Sequence, residues 1–204
     1  MSDTTMAPPT DQLAATLEAV LLACDKPLSA GKIGEALNLE EEEVAQLSDL
    51  IAGLNEQYED TGRSFRIESV AGGYRMLTLE RFAPAVAAVR GLRSEKSLSR
   101  AALETLAIVA YRQPVTRAQL EAIRGASSGE LLRSLLERKL VRITGRAEEL
   151  GRPMLYGTTK QFLEAFGLAT IQDLPPIGDL FPQITPGHAN DPNEPAEETQ
   201  ETNS

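Results

Sequence analysis

Leu17-Glu18-Ala19-Val20-Leu21-Leu22-Ala23-Cys24-Asp25-Lys26-Pro27-Leu28-Ser29 returns later in the chain as Leu103-Glu104-Thr105-Leu106-Ala107-Ile108-Val109-Ala110-Tyr111-Arg112-Gln113-Pro114-Val115-Thr116. The offset is 86 at Leu17/Leu103 and 87 at Pro27/Pro114, one residue having been inserted between them. Each copy reads as an apolar helix, an X-Pro-apolar break and a Ser or Thr cap on a second helix, which continues through Ile33 and Ala36 or through Leu120 and Ile123. The proline disfavours helical geometry at the residue before it, so the first helix must end. The hydroxyl that follows can accept a bond from a free N–H of the next helix. A third helical stretch and two β-like runs joined by a loop follow each copy. That order is a winged helix, and the chain holds two. The fold class is α+β and mainly helical, with tandem winged-helix units at 11–93 and 98–170 and a disordered acidic tail at 178–204.

The individual elements follow from spacing. In the first unit a helix runs from about Asp11 to Cys24, with Thr10 as its cap and Leu13, Leu17, Val20 and Leu21 inward. A third helix starts near Glu40, where Glu40-Glu41-Glu42-Glu43 meets the positive end of the helix dipole, and continues through Tyr58 to a stop at Gly62. Residues 65–70 and 74–79 form a hairpin turning at Gly72-Gly73. A closing helix carries Phe82, Val86 and Val89 from about Glu80 to Gly91. A polar linker at 93–98 leads to the second unit. There Ser99 caps a helix with Leu103, Leu106, Ala107 and Ala110 as its stripe, and Thr116 caps one that stops at Gly125. Ser127 or Ser128 caps a third whose Leu131, Leu132, Leu135 and Leu136 are core. Val141 to Thr144 and Met154 to Tyr156 are wing strands, and a last helix holds Phe162, Leu163 and Phe166.

Charge separates the two copies. The chain carries a net −10, distributed very unevenly. Residues 1–93 hold 8 Lys/Arg against 15 Asp/Glu, whereas 98–170 hold 11 against 7. The stretch 171–204 has no Lys or Arg and 7 acidic residues. Nucleic acid is repelled by the first unit and the tail and only weakly attracted by the second. The third helix of a DNA reader offers Arg, Lys, Asn or Gln to base edges. Here the first unit offers Glu40 to Glu43, Gln46, Asp49, Asn55 and Glu56, and in the second Glu130 and Glu137 offset Arg133 and Arg138.

Catalysis finds nothing to stand on. His188 is the single histidine and lies in the tail, Cys24 is the single cysteine and reads as a small core residue, and no cluster has metal-ligand spacing. Gly72-Gly73 lacks the Lys-Ser/Thr of a nucleotide loop. Catalytic, cofactor and metal residues are therefore none, and the chain is expected not to be an enzyme. No signal peptide or membrane-spanning run is visible, which fits a cytoplasmic protein with no membrane partner. Contact between proteins remains. The Phe82 to Val89 helix is apolar on more than one face, more than a unit of about 80 residues covers alone, so a second copy is its natural cover.

Longer motifs sharpen the second unit. Leu98-Ser99-Arg100-Ala101-Ala102-Leu103 through Tyr111-Arg112-Gln113-Pro114-Val115-Thr116-Arg117, Ile123-Arg124-Gly125, Leu132-Arg133-Ser134-Leu135-Leu136-Glu137-Arg138, and Gly151-Arg152-Pro153-Met154-Leu155-Tyr156-Gly157-Thr158-Thr159 resemble the segregation and condensation protein B family of bacteria. So do Phe162 to Leu168, Asp173-Leu174-Pro175-Pro176, Pro27-Leu28-Ser29 and Val70-Ala71-Gly72-Gly73-Tyr74-Arg75. The resemblance covers about residues 13–177, with the acidic tail outside it. It implies two winged-helix domains, a homodimer through the N-terminal one and no catalysis. It implies binding to a kleisin subunit, segregation and condensation protein A, and through it to an SMC ATPase that condenses and segregates chromosomes at the nucleoid, without a specific nucleic-acid sequence. The fold alone suggests the alternative of a winged-helix DNA-binding transcriptional regulator. Candidate partner contacts are Tyr111, Arg112, Gln113, Arg152, Pro153 and Tyr156, and the candidate dimer interface is Phe82, Val86 and Val89. Tyr111 to Pro114 could equally be a structural turn. Arg152 could equally pair with Glu148 or Glu149.

Overall fold

The computed structural model describes residues 10–89 and 98–176, so most of the expected linker, and the tail with His188, lie outside the described residues. The first half opens with α1 (Thr10–Ala23) and α2 (Ala30–Leu37). Thr10 is the first helical residue, one position further in than a cap, and Cys24 lies just past the helix end, half-buried. Ser29 is extended, and its hydroxyl accepts the Lys32 N–H at 3.4 Å.

The expected third helix is two. α3 (Glu41–Ala45) and α4 (Leu47–Asp60) meet at Gln46, whose φ −89°, ψ 0° leaves the helix line. The Gln46 N–H bonds Glu43 O and the Asp49 N–H bonds Gln46 O, each at 3.1 Å. These i→i−3 bonds tighten one turn. Past it, Leu47, Ile51, Leu54 and Tyr58 join Leu17, Leu21, Ile33, Leu37 and Ile67 in the core. Glu40 precedes α3, and its N–H bonds the Glu43 carboxylate at 2.9 Å. Gly62, at φ 64°, lies just past α4 where the sequence set the stop.

β1 (Phe65–Val70) and β2 (Gly73–Thr78) pair antiparallel with Val70 opposite Gly73. The turn is therefore Ala71-Gly72, not Gly72-Gly73, with φ of 52° and 73°. Two left-handed residues give a two-residue loop the twist that a hairpin needs. Gly73 is required for a different reason, since a Cβ there would lie 2.6 Å from the Leu28 carbonyl oxygen. Leu28 comes that close because it pairs with Tyr74, donating to Tyr74 O at 2.9 Å and accepting from Tyr74 N at 2.7 Å. The break after α1 thus adds a third line to the hairpin, which periodicity does not reveal. A short 3-10 turn (Glu80–Phe82) and α5 (Ala83–Val89) stand where a single helix was expected.

The second half repeats the plan. α6 (Arg100–Arg112) is capped by Ser99, which accepts the Ala102 N–H at 3.2 Å. Its buried residues are Ala102, Thr105, Leu106, Val109 and Ala110, while Leu103 is 45 % exposed and Ala107 is exposed. The expected stripe is rotated. Thr105 can be the inward residue because its hydroxyl donates to Ala101 O at 2.8 Å, so burial leaves no polar group unpaired.

β3 (Val115–Thr116), too short for the sequence pattern to mark, pairs with β5 (Met154–Thr158), and β5 pairs with β4 (Val141–Arg146). Val115 faces Tyr156 as Leu28 faces Tyr74. Between them lie α7 (Arg117–Arg124) and α8 (Gly129–Glu137). Thr116 and Gln119 bond each other's backbone N–H at 3.3 and 2.9 Å, and Gly125 ends α7 at φ 70°. Ser128 precedes α8, but its hydroxyl does not cap it, accepting from Arg124 Nη1 at 2.9 Å instead. Leu132 and Leu135 are buried, whereas Leu131 and Leu136 are only half-buried. α9 (Lys160–Phe166) ends at Gly167. No helix of the described residues is long and apolar enough to cross a membrane.

Two polar side chains in the first half generate tests. Asn55 acts as a false strand: its Nδ2 donates to Ile67 O and its Oδ1 accepts from Ile67 N, both at 2.8 Å. Asn55→Ala orphans both groups of a buried residue and is expected to cost about 2–3 kcal/mol in urea unfolding; a loss under about 0.5 kcal/mol contradicts the pairing. Tyr58 Oη is buried beside the Glu18 carboxylate. Burial first, and the nearby Glu18 carboxylate second, push its pKa up to about 12. A folded pKa above the unfolded value of about 10 means that the stability of the neutral phenol is whole below pH 10 and lost between about 10 and 12. Tyr58→Phe should leave neutral-pH stability nearly unchanged and flatten that alkaline loss.

Candidate functional site

Two surfaces carry the candidate residues. The first is α5. None of its residues is buried, and its principal packing is against its own 3-10 turn. Phe82 and Val86 are half-buried and Val89 is 88 % exposed. The Arg81 guanidinium lies 5.0 Å from the centre of the Phe82 ring, covering one face of it with a cation. A cavity of about 750 Å³ opens nearby between α4 and β1, lined by Asn55, Glu59, Arg63, Phe65 and Arg81 among others.

The second surface surrounds β5. Arg112 is exposed at the end of α6 and Tyr111 is half-buried. Gln113 faces inward: its Oε1 accepts the Thr158 N–H at 2.7 Å and the Thr158 hydroxyl at 3.0 Å, and its Nε2 donates to Ala110 O at 3.2 Å. Gly157 makes room for it, since a Cβ there would lie 2.9 Å from Gln113 Oε1 and 2.8 Å from Thr144 Cγ2. Tyr156 is half-buried between its register partners Val115 and Ile143. Arg152 lies four residues back along the chain, before β5 begins. Its φ is 42°, its N–H bonds Glu149 O at 2.8 Å, and its carbonyl accepts from Arg146 Nη1 at 3.1 Å. Among the described ion pairs none joins Arg152 to Glu148 or Glu149. Pro153 is half-buried, and its carbonyl accepts the Ala147 N–H at 2.9 Å. Of the six candidates, Gln113 at the end of α6 is thus joined to β5, the strand of Tyr156, through Thr158, while Arg152 and Pro153 precede that strand.

Several exposed apolar groups beside these were missed. Ile143, Met154 and Leu150 are 47, 39 and 104 % exposed on the second hairpin. Alternation from buried Val141 sends Ile143 inward, but β4 is exposed on both faces from Arg142 to Arg146, before and after the register shift that follows Ile143. Exposed Arg-Glu pairs lie along α7 and α8. Arg133 meets Glu137 at 3.2 Å and Arg117 meets Glu121 at 2.8 Å. The Ser128 N–H, and then Arg117, hold the Glu121 carboxyl below the usual range. On α4, Asn55 is already taken by Ile67. Among the described residues no group of His, Cys, Asp and Glu is placed to hold a metal ion.

Comparison with known proteins gives the family. A family model described as segregation and condensation complex subunit ScpB matches residues 15–177. The segregation and condensation protein B of Moorella thermoacetica is 46 % identical over 171 residues, covering 83 % of this chain and 85 % of that protein. The crystal structure of ScpB from Mycobacterium tuberculosis is 34 % identical, covering 80 % of this chain and 99 % of that one, with a TM-score of 0.39. A dimer of an ScpB N-terminal domain complexed with ScpA peptide is 24 % identical, covering 39 % of this chain and 95 % of that one, with a TM-score of 0.34.

The inward Gln113 gives a direct test. Gly157→Ala should cost about 1–3 kcal/mol by overpacking. In the Gln113→Ala background the same change should cost at least about 1 kcal/mol less, read as the coupling in a double-mutant cycle of thermal unfolding. Additive costs would free Gln113 from its structural role.

Proposed function

Because the chain belongs to the segregation and condensation protein B family, we propose that it is a non-catalytic accessory subunit of a bacterial condensin-like SMC complex, acting at the nucleoid in chromosome condensation and segregation. Each half is read as a winged helix. The first self-pairs through α5 to make a homodimer, and the second holds a kleisin subunit that connects it to the SMC ATPase. The observation carrying this reading is that the family match runs through both halves, from residue 15 to residue 177. The apolar residues left uncovered on α5 support the self-pairing. The basic excess of the second half suits an acidic kleisin segment better than the acidic first half does, and steering of that kind acts mainly on the association rate.

Three outcomes are expected. The intact chain elutes as a dimer by light scattering, and Val86→Glu shifts it to a monomer while its melting temperature stays within a few degrees. Joint Arg112→Glu and Arg152→Glu substitution weakens capture of the kleisin about tenfold, mostly in the on-rate, and leaves the dimer intact. Duplex DNA is bound no tighter than roughly 10 µM at physiological salt, the range of non-specific contact. Kleisin capture lost in Val86→Glu but kept in the double arginine variant would move the partner to the first half; nanomolar sequence-specific DNA binding would overturn the reading.

A further inference from the structure

Two motifs of the sequence, Val70 to Arg75 and the stretch from Phe162 through Pro176, are left over by the interfaces above, and the structure joins them. The Ala71 N–H donates to Leu168 O at 2.7 Å and the Gly72 N–H donates to Ala169 O at 3.0 Å. Among the described hydrogen bonds, these two are the ones that cross between the halves. Extensive packing between elements otherwise stays within one half or the other. Val70 and Ala71 are 1 and 6 % exposed. The tip of a two-residue hairpin is ordinarily its most exposed point; here Gly72 is exposed but Ala71 is covered.

Both sides are shaped before they meet. In an extended strand successive N–H groups point opposite ways. The left-handed conformations of Ala71 and Gly72 turn both donors to one side, as in a backbone nest. On the other side, Gly167 at φ 66° ends α9, and the Leu168 N–H bonds Leu163 O at 3.0 Å. Asp173 fixes the segment that follows, its carboxylate accepting the Thr170 N–H at 2.7 Å. Contacts between preformed surfaces lose little freedom on closing.

We propose that the Ala71-Gly72 tip and the Leu168 and Ala169 carbonyls form a latch within one chain that holds its two halves as one body. The first hairpin is then a strut between halves. The latch does not depend on which partners the protein has.

Hydrogen exchange on the intact chain tests it. The amides of residues 71 and 72 should exchange about 100-fold more slowly than free amides, and that protection should survive a hundredfold dilution of the protein. Ala71→Asn keeps the turn, because asparagine tolerates a left-handed φ, but puts a larger polar side chain where the tip is covered. In this variant the two amides should exchange freely, the Tyr74 amide, bonded to Leu28, should stay protected, and the radius of gyration should rise in solution scattering. Free exchange at residues 71 and 72 in the unsubstituted chain would overturn the latch. Protection lost on dilution would assign the carbonyls to a second copy and overturn it equally.

Discussion

One backbone pairing, made twice, organises this chain. Leu28 pairs with Tyr74 and Val115 with Tyr156, each joining the break after the first helix to the second hairpin strand. Each such bond is worth only about 1 kcal/mol net, but the pairing fixes where the second helix starts and which way the hairpin leans. Local chemistry is arranged to allow it. Pro27 and Pro114 end the preceding helix, Ser29 and Thr116 cap the next, and a glycine stands beside each tyrosine. Gly73 admits the Leu28 carbonyl, and Gly157 admits the Gln113 side chain.

On that shared frame the halves have diverged through their side chains. The first is acidic, spends Asn55 on its own hairpin and leaves α5 uncovered. The second has a basic excess, yet Glu121 and Glu137 hold Arg117 and Arg133. Outward there are Arg112 and Arg152, further cations such as Arg142 and Arg146, and apolar groups that include Ile143, Leu150 and Met154. The self-pairing and kleisin contacts proposed above fit the family to which the chain belongs.

Caps and stops were readable because one residue type decides each: Ser29, Ser99, Thr116, Gly62 and Gly125 all stand where the pattern set them. Features decided by geometry over distance were not. A two-residue strand such as β3 has no period to detect. The choice of Ala71-Gly72 over Gly72-Gly73 depends on the approach of Leu28, which is 45 residues away from Gly73 in sequence. Thr105 could displace Leu103 from the core only because its hydroxyl finds Ala101 O. Gln113 looked like a surface residue because nothing in its neighbours reveals that Thr158 waits to bond it. Of the partner candidates, Arg112 and Arg152 are exposed as their charge suggests, whereas Gln113 is committed inside.

The central claim, one fold carrying two different protein contacts, is tested most directly by the exchange footprint of the intact chain with and without the kleisin. Self-pairing by the first half predicts that α5 is already protected in the free chain and does not change. Partner binding by the second predicts new protection at residues 111–113 and 152–156. New protection confined to α5, with those two stretches unaltered, would contradict the division of labour between the halves.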